Sequence, residues 1–193
     1  MTAKVLVVGN GPSKTNYEFI NNFDGTVLCV DMVGKEIMEH GRVPDYVLFS
    51  EINEGVIKYT DQTLPKEYIG KDITIIHLSS MKKTVIKMMD DMGLKHETFL
   101  PQYTTSHQAT GNVGLYSVAY ADLILHADEI HIIGLDYKGP DHIGRDWSKV
   151  WIWDAKHYVG TRKLNNIIDH SGGNFPTDVD PEDPHVKYDL KEY

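Results

Sequence analysis

Cysteine is almost absent from this chain of 193 residues: Cys29 stands alone. An internal disulfide and a cysteine-based zinc site are both excluded. Cys29 falls inside the apolar run Thr26–Val30, which predicts a buried thiol rather than a nucleophile. Positive charge is also scarce. Lys and Arg total 19 against 28 Asp and Glu, a formal net charge of −9. Without a broad basic field to displace counterions, nucleic acid and anionic membrane surfaces are poor partners. Long hydrophobic runs are missing too, and none approaches the ~20 residues that span a bilayer. The chain enters a strand pattern at once with no signal peptide, so a reducing cytoplasm is the expected setting.

What is present is an alternation of short apolar runs with amphipathic segments. Apolar residues make up 41% and charged residues 24%, the balance of a folded globular protein. Strands are read at Lys4–Val8, Thr26–Val30, Tyr46–Phe49, Ile73–Leu78 and Glu129–Leu135, with a further short one left open in Glu97–Tyr103. Helices are read at Ser13–Asn22, Val33–His40, Met81–Met92 and Asn112–His126, and in part at Trp151–Ile168. Met81, Met88, Met89 and Met92 read as core filler. Strands that are apolar throughout, separated by helices, imply an α/β fold: a Rossmann-like, mostly parallel sheet with helices on both faces. Residues 1–175 form one nucleotide-binding domain in this reading, and 176–193 an acidic tail.

Ligands of such sheets bind beyond the carboxyl ends of the strands. The first strand runs into Gly9-Asn10-Gly11-Pro12-Ser13, a turn that opens a helix. Backbone amides and a helix start meet there, a geometry suited to phosphate, with Asn10 and Ser13 as side-chain donors. It is not the dinucleotide fingerprint, because Lys14 stands where that pattern has its third glycine. Asp31 ends the second strand and reads equally as a ribose acceptor or a helix cap. Glu51, with Glu54 nearby, follows the third strand and is a candidate for a substrate hydroxyl or a divalent metal. Asp45, ahead of that strand, is expected at the opposite edge in a structural role.

A second glycine turn, Thr110-Gly111-Asn112, opens the long helix read at Asn112–His126 and suits an anion. Gly134-Leu135-Asp136-Tyr137 ends the last strand, placing Asp136 and Tyr137 where a substrate-orienting pair would sit. His142 and His157 are the candidate acids or bases. Lys138, Arg145, Lys156, Arg162 and Lys163 are cations available to a pyrophosphate. No Ser–His–Asp set, P-loop or His-x-x-x-His pair appears. A nucleotide or nucleotide-linked ligand follows, and the metal is left unassigned.

The blocks VLVVGNGPS, VDMVGKEIMEHGRVPDYVLFSE and TGNVGLYSVAYADLILHADEIHIIGLDY resemble the superfamily of archaeal 6-hydroxymethylpterin diphosphokinase-like proteins, which includes motility-associated glycosyltransferase-like members. Their order also resembles bacterial lipooligosaccharide sialyltransferases. The sialyltransferase resemblance implies a CMP-linked donor and no metal, with Asn10, Gly11 and the Thr110–Asn112 turn on the nucleotide and Asp136 on its ribose or base. His157-Tyr158-Val159-Gly160-Thr161 resembles that branch's His-Tyr-Ile-Gly-His, with Thr161 in place of its catalytic second histidine. The pterin resemblance implies Mg-dependent pyrophosphate transfer from ATP to a pterin alcohol. Glycosyl transfer is the favoured expectation. Pyrophosphoryl transfer and a non-catalytic nucleotide-binding module are the alternatives, and a homo-oligomer is compatible with any of them.

Overall fold

The computed structural model describes residues 2–50, 64–100, 112–138 and 148–180. Seven strands form a single sheet: β1 (Lys4–Val8), β2 (Thr26–Val30), β3 (Tyr46–Phe49), β4 (Thr74–Leu78), β5 (Lys95–Phe99), β6 (Glu129–Ile133) and β7 (Ile167–Asp169). Their spatial order is β5-β4-β3-β2-β1-β6-β7, and every pairing is parallel. The fold is therefore α/β and Rossmann-like. The central strands are apolar along their whole length because both faces are covered.

The helices are α1 (Tyr17–Asn22), α2 (Val33–Glu39), α3 (Lys83–Asp91), α4 (Val113–Leu123) and α5 (Ser148–Arg162). Alternate strand residues feed two cores. Leu6, Val8, Cys29 and Ile75 pack with Ile20 of α1, Ile37 of α2 and Met89 of α3. Val5, Val7, Leu28 and Ile132 pack with α4 and with Tyr158 and Val159 of α5. Helix α4 crosses β1, β2, β3 and β6 and is buried on nearly all sides from Gly114 to Ala121, which explains its almost uniformly apolar sequence. Its far end is fastened to α5, where Tyr158 Oη and Arg162 Nε donate to Asp122 Oδ2 at 2.7 and 2.9 Å.

Several elements differ from the sequence reading. The segment read as one helix over Ser13–Asn22 is a 3-10 turn at Pro12–Thr15 followed by α1. Asn16 separates them, its side chain accepting from the Phe19 amide at 3.3 Å and restarting the helix. The ambiguous Glu97–Tyr103 stretch holds β5, which begins earlier, at Lys95. As an edge strand it carries Lys95, His96 and Glu97, and its polarity masks the strand pattern. The helical pattern in the sequence runs in part to Ile168, but α5 stops at Arg162 and Ile167–Asp169 is β7. Lys163 ends the helix in a left-handed conformation, φ 54°. The strand read to Leu135 ends at Ile133, because Gly134 turns the chain with φ 73°. Met89 is fully buried, and Met81, Met88 and Met92 pack against the same core. Asp45 closes the opposite edge as expected, its Oδ2 accepting from the Val27 amide at 2.8 Å. Glu54–Tyr59, Gly139–Trp147 and most of the acidic tail lie outside the described residues.

Candidate functional site

In parallel sheets the crevice opens where strand order reverses. Here that point lies between β1 and β6, since β2 to β5 build out on one side and β7 on the other. The turns after β1 and β6 meet there in close backbone contact. Gly9 N donates to Ile133 O at 2.8 Å and Gly11 N to Gly134 O at 2.7 Å. A Cβ on Gly11 would lie 2.0 Å from Asp136 Oδ2 and 2.8 Å from Gly134 O, and one on Gly9 only 2.4 Å from Gly134 O. The glycines of the first motif are thus required by this seam, whatever else binds there.

Ser13 and Asp136 lock the seam. Asp136, 7% exposed, accepts from Ser13 N at 3.2 Å and Ser13 Oγ at 3.0 Å through Oδ2. Ser13 Oγ in turn accepts from Gly134 N at 2.7 Å. The amides of Gly9, Gly11 and Ser13 are therefore engaged within the fold. A ligand at this rim meets the exposed Asn10 side chain, the opening turn of α4 and the corner after β6.

That corner is strained. Tyr137 has φ 46° and Asp31, at the end of β2, has φ 45°. Both are non-glycine residues in the left-handed region, which is costly and concentrates at functional sites. The Tyr137 ring is buried beside Trp151 and Phe175, with centroids 5.9 and 5.7 Å away. Burial pushes its hydroxyl pKa up, partly offset by the hydrogen bond from Asn112, so the phenol stays neutral. Asn112 Nδ2 donates to Tyr137 Oη at 2.9 Å, while Asn112 Oδ1 accepts from the Leu115 amide at 3.1 Å and caps α4. Asn112 and the first turn therefore share one rim, joined through the consecutive residues Asp136 and Tyr137.

The remaining expected residues fall in different places. His157 lies on α5 next to Tyr158, the residue that reaches the last turn of α4 at Asp122. It thus sits toward the end of α5 away from the rim, its ring parallel to that of Trp153 with Nδ1 buried and unpartnered. The structure does not bring it together with Asp136. Glu51, Thr110, Gly111 and His142 lie outside the described residues. Among the described residues no group of three His, Cys, Asp or Glu side chains could hold a metal ion.

Two parts of the rim were not read from the sequence. In the sequence Lys14 marks only a missing glycine, yet its ammonium returns to Asn10 Oδ1 at 2.6 Å. The loop after β7, Ser171–Asn174, also belongs here. Ser171 Oγ accepts from Leu135 N at 3.2 Å, and Asn174 Nδ2 approaches Tyr137 O at 3.5 Å. Ile167-Ile168, a β-branched pair after a helix, was the available signal for it.

A match to the family described as 6-hydroxymethylpterin diphosphokinase MptE-like runs over residues 2–141, from before β1 through the corner after β6. The chain belongs to this family. The matched span contains the glycine seam, Asn112 and Asp136. A structural similarity exists to a protein from Lactobacillus plantarum, at 16% identity and a TM-score of 0.43, covering 88% of this chain. The present chain spans 61% of that protein's length. No curated protein matches. Among the described residues, no helix is long and apolar enough to cross a membrane.

Proposed function

We propose that this MptE-like protein transfers a group from a nucleotide-linked donor seated at the β1/β6 rim. The observation that carries the reading is the convergence of three features at the switch point. These are the Gly9–Ser13 turn, the Asn112-capped end of α4 and the strained Asp136–Tyr137 corner. In the glycosyl reading a CMP-linked sugar is the donor. The bond from its anomeric carbon to the phosphate oxygen breaks, and the phosphate leaves with the electron pair. The acceptor hydroxyl oxygen bonds to that carbon, and its proton passes to a base. Gly9, Gly11 and Ser13 shape the floor, Asn10 and Asn112 flank the nucleotide, and Asp136 with Tyr137 orients it. Asp31 and Glu51 are assigned to the ribose side, and Thr110 and Gly111 to the phosphate. His142, five residues after Tyr137 in sequence, is the assigned base in preference to His157, whose neighbour Tyr158 bonds to Asp122 near the end of α4.

Pyrophosphoryl transfer from ATP to a 6-hydroxymethylpterin is the second reading, favoured by the family description. It calls for Mg; Asp136 already serves Ser13, no group of three His, Cys, Asp or Glu side chains among the described residues could hold a metal ion, and the acidic candidates Glu51 and Glu54 lie outside those residues. No step is therefore routed through a metal.

Thermal-shift titration of the full chain with CMP, CDP, ATP and a hydroxymethylpterin, each with and without Mg, tests both. Stabilisation by a cytidine nucleotide without Mg supports glycosyl transfer. Stabilisation by ATP only with Mg moves the assignment to pyrophosphoryl transfer. A flat response to every nucleotide removes the nucleotide-linked donor.

A further inference from the structure

Lys14 occupies the position at which the first motif departs from the dinucleotide fingerprint, and its side chain folds back over the 3-10 turn to the rim. Its Nζ donates to Asn10 Oδ1 at 2.6 Å and to Glu36 Oε2 at 2.7 Å, with only 17% of the side chain exposed. Glu36 is itself anchored: its Oε1 accepts from Tyr17 Oη at 2.7 Å, and the Tyr17 ring stacks on His40 at 3.6 Å. Burial works against the Glu36 charge, but the hydrogen bonds from Lys14 and Tyr17 outweigh it and hold the carboxyl below its ordinary range. The Glu36 carboxylate is therefore ionised, and α2 positions it against Lys14.

Ordering a long lysine side chain costs rotamer entropy, and a partly exposed ion pair contributes little stability in return. A purely structural bridge to Glu36 has no use for Asn10 as a second partner. An ammonium carries three N–H donors, and two are accounted for by these oxygens among the described residues. With Oδ1 turned to Lys14, the exposed Asn10 presents Nδ2 on the other side of its amide. This gives a cationic donor and a neutral donor side by side at the end of β1, on a turn whose amides are already engaged. The sequence expected those amides to hold phosphate; the side chains above them are what remains available.

We propose that Lys14 and Asn10 form the phosphate-recognition fork of this site, taking the phosphate or diphosphate of its ligand, with Glu36 as the residue that positions Lys14. The inference rests on the nucleotide reading and names the groups that grip its anion. A cation is needed where the net charge of −9 would otherwise repel a phosphate. Glu36 acts as the resident counter-ion, so removing its charge leaves Lys14 with a larger net attraction for a bound anion.

The test is calorimetric titration of the full chain with cytidine, CMP, CDP, ATP and inorganic pyrophosphate. The proteins are wild type, Lys14→Met, Lys14→Arg and Glu36→Gln. Lys14→Met is expected to weaken the phosphorylated probes about tenfold or more while leaving cytidine unchanged. Lys14→Arg is expected to restore most of the affinity, and Glu36→Gln to hold or tighten it. A tightening by Glu36→Gln is a result that a merely structural ion pair would not give. A loss under about threefold for Lys14→Met overturns the proposal, as does an equal loss on cytidine or a weakening by Glu36→Gln. If Lys14→Met fails to fold, the Lys14→Arg and Glu36→Gln arms decide alone, by the same criteria. Pyrophosphate separates the two levels. Binding of pyrophosphate through Lys14 with no binding of any nucleotide keeps the fork and ends the nucleotide reading. Nucleotide binding indifferent to Lys14 ends the fork alone, and no binding of any probe ends both.

Discussion

Ser13 Oγ stands 3.0 Å from Asp136 Oδ2 as donor and 2.7 Å from Gly134 N as acceptor, so one hydroxyl ties together two turns that are more than a hundred residues apart in sequence. Removing it leaves a buried carboxylate and an amide short of partners. Ser13→Ala is expected to cost about 1–3 kcal/mol in urea unfolding. Gly11→Ala should be at least as harmful, because its Cβ meets both Asp136 and the Gly134 carbonyl, and overpacking of this kind costs about 1–3 kcal/mol. An unchanged urea midpoint for Gly11→Ala would show that the seam yields easily.

Asn112 does two jobs with one amide, capping α4 and holding Tyr137. Asn112→Asp should retain the cap and lose the Nδ2 donor, whereas Asn112→Ala loses both. The expected losses are about 1 kcal/mol for Asp and about 2 kcal/mol or more for Ala, measured by chemical denaturation. Equal losses would mean that the cap contributes nothing beyond the Tyr137 bond.

A proton-sharing histidine pair links β6 to the residue after β7. His131 Nδ1 and His170 Nε2 are 3.0 Å apart, and the rings are inclined by only 6° with centroids 5.3 Å apart. Those values require the rings to meet edge to edge in one plane, around an N–H···N bond. Phe19 of α1 and Phe23 just beyond that helix pack against the pair, Glu129 accepts on the far side of His131, and Lys4 and Asp169 are among the nearby charges. Burial, then the neighbouring His131, lowers the His170 pKa below its ordinary 6.5, against a smaller opposing effect of Asp169. A histidine held neutral in the fold contributes stability that is complete above its unfolded pKa. That contribution is lost as pH falls from about 6.5 through the lower folded value. Urea midpoints from about pH 8 to about pH 5 should therefore fall, and His170→Gln should flatten the fall. A profile identical in the variant would assign the pH dependence elsewhere.

Cys29 is fully buried in β2, and burial raises its thiol pKa well beyond the ordinary range. A thiol-specific chromogenic reagent should leave it untouched in the native protein and titrate one equivalent after denaturation. Rapid labelling of the native chain would contradict the packing of β2.

The sequence made the central layer easy to read and its margins hard. Runs such as Val5–Val8 and Val27–Val30 are apolar because helices cover both faces, and that pattern is local. At the edges β5 carries Lys95, His96 and Glu97, and β7 has only three residues, so neither shows the signature of an interior strand. The site divides in the same way. Strand-end positions, Asp136 and Tyr137 among them, follow from the parallel topology alone. What Gly11, Ser13 and Asn112 do follows from long-range contacts: the glycines meet β6, Ser13 binds Asp136, and Asn112 reaches Tyr137. Periodicity carries no information about which of these donors remains open to a ligand. Nor does it mark Lys14, whose partner Glu36 lies on another helix.

The long crossing of α4 also constrains how the chain is made. Between the arrival of β2 and that of β6, β1 has a neighbour on one flank only, for about a hundred residues of synthesis. A nascent chain in that interval displays an apolar central strand as an open edge, the kind of template on which other chains nucleate aggregates. Ribosome-arrested chains ending before β6 should accordingly be the protease-sensitive, chaperone-dependent stage of this protein's biosynthesis, and protection should appear once β6 has emerged to cover that flank.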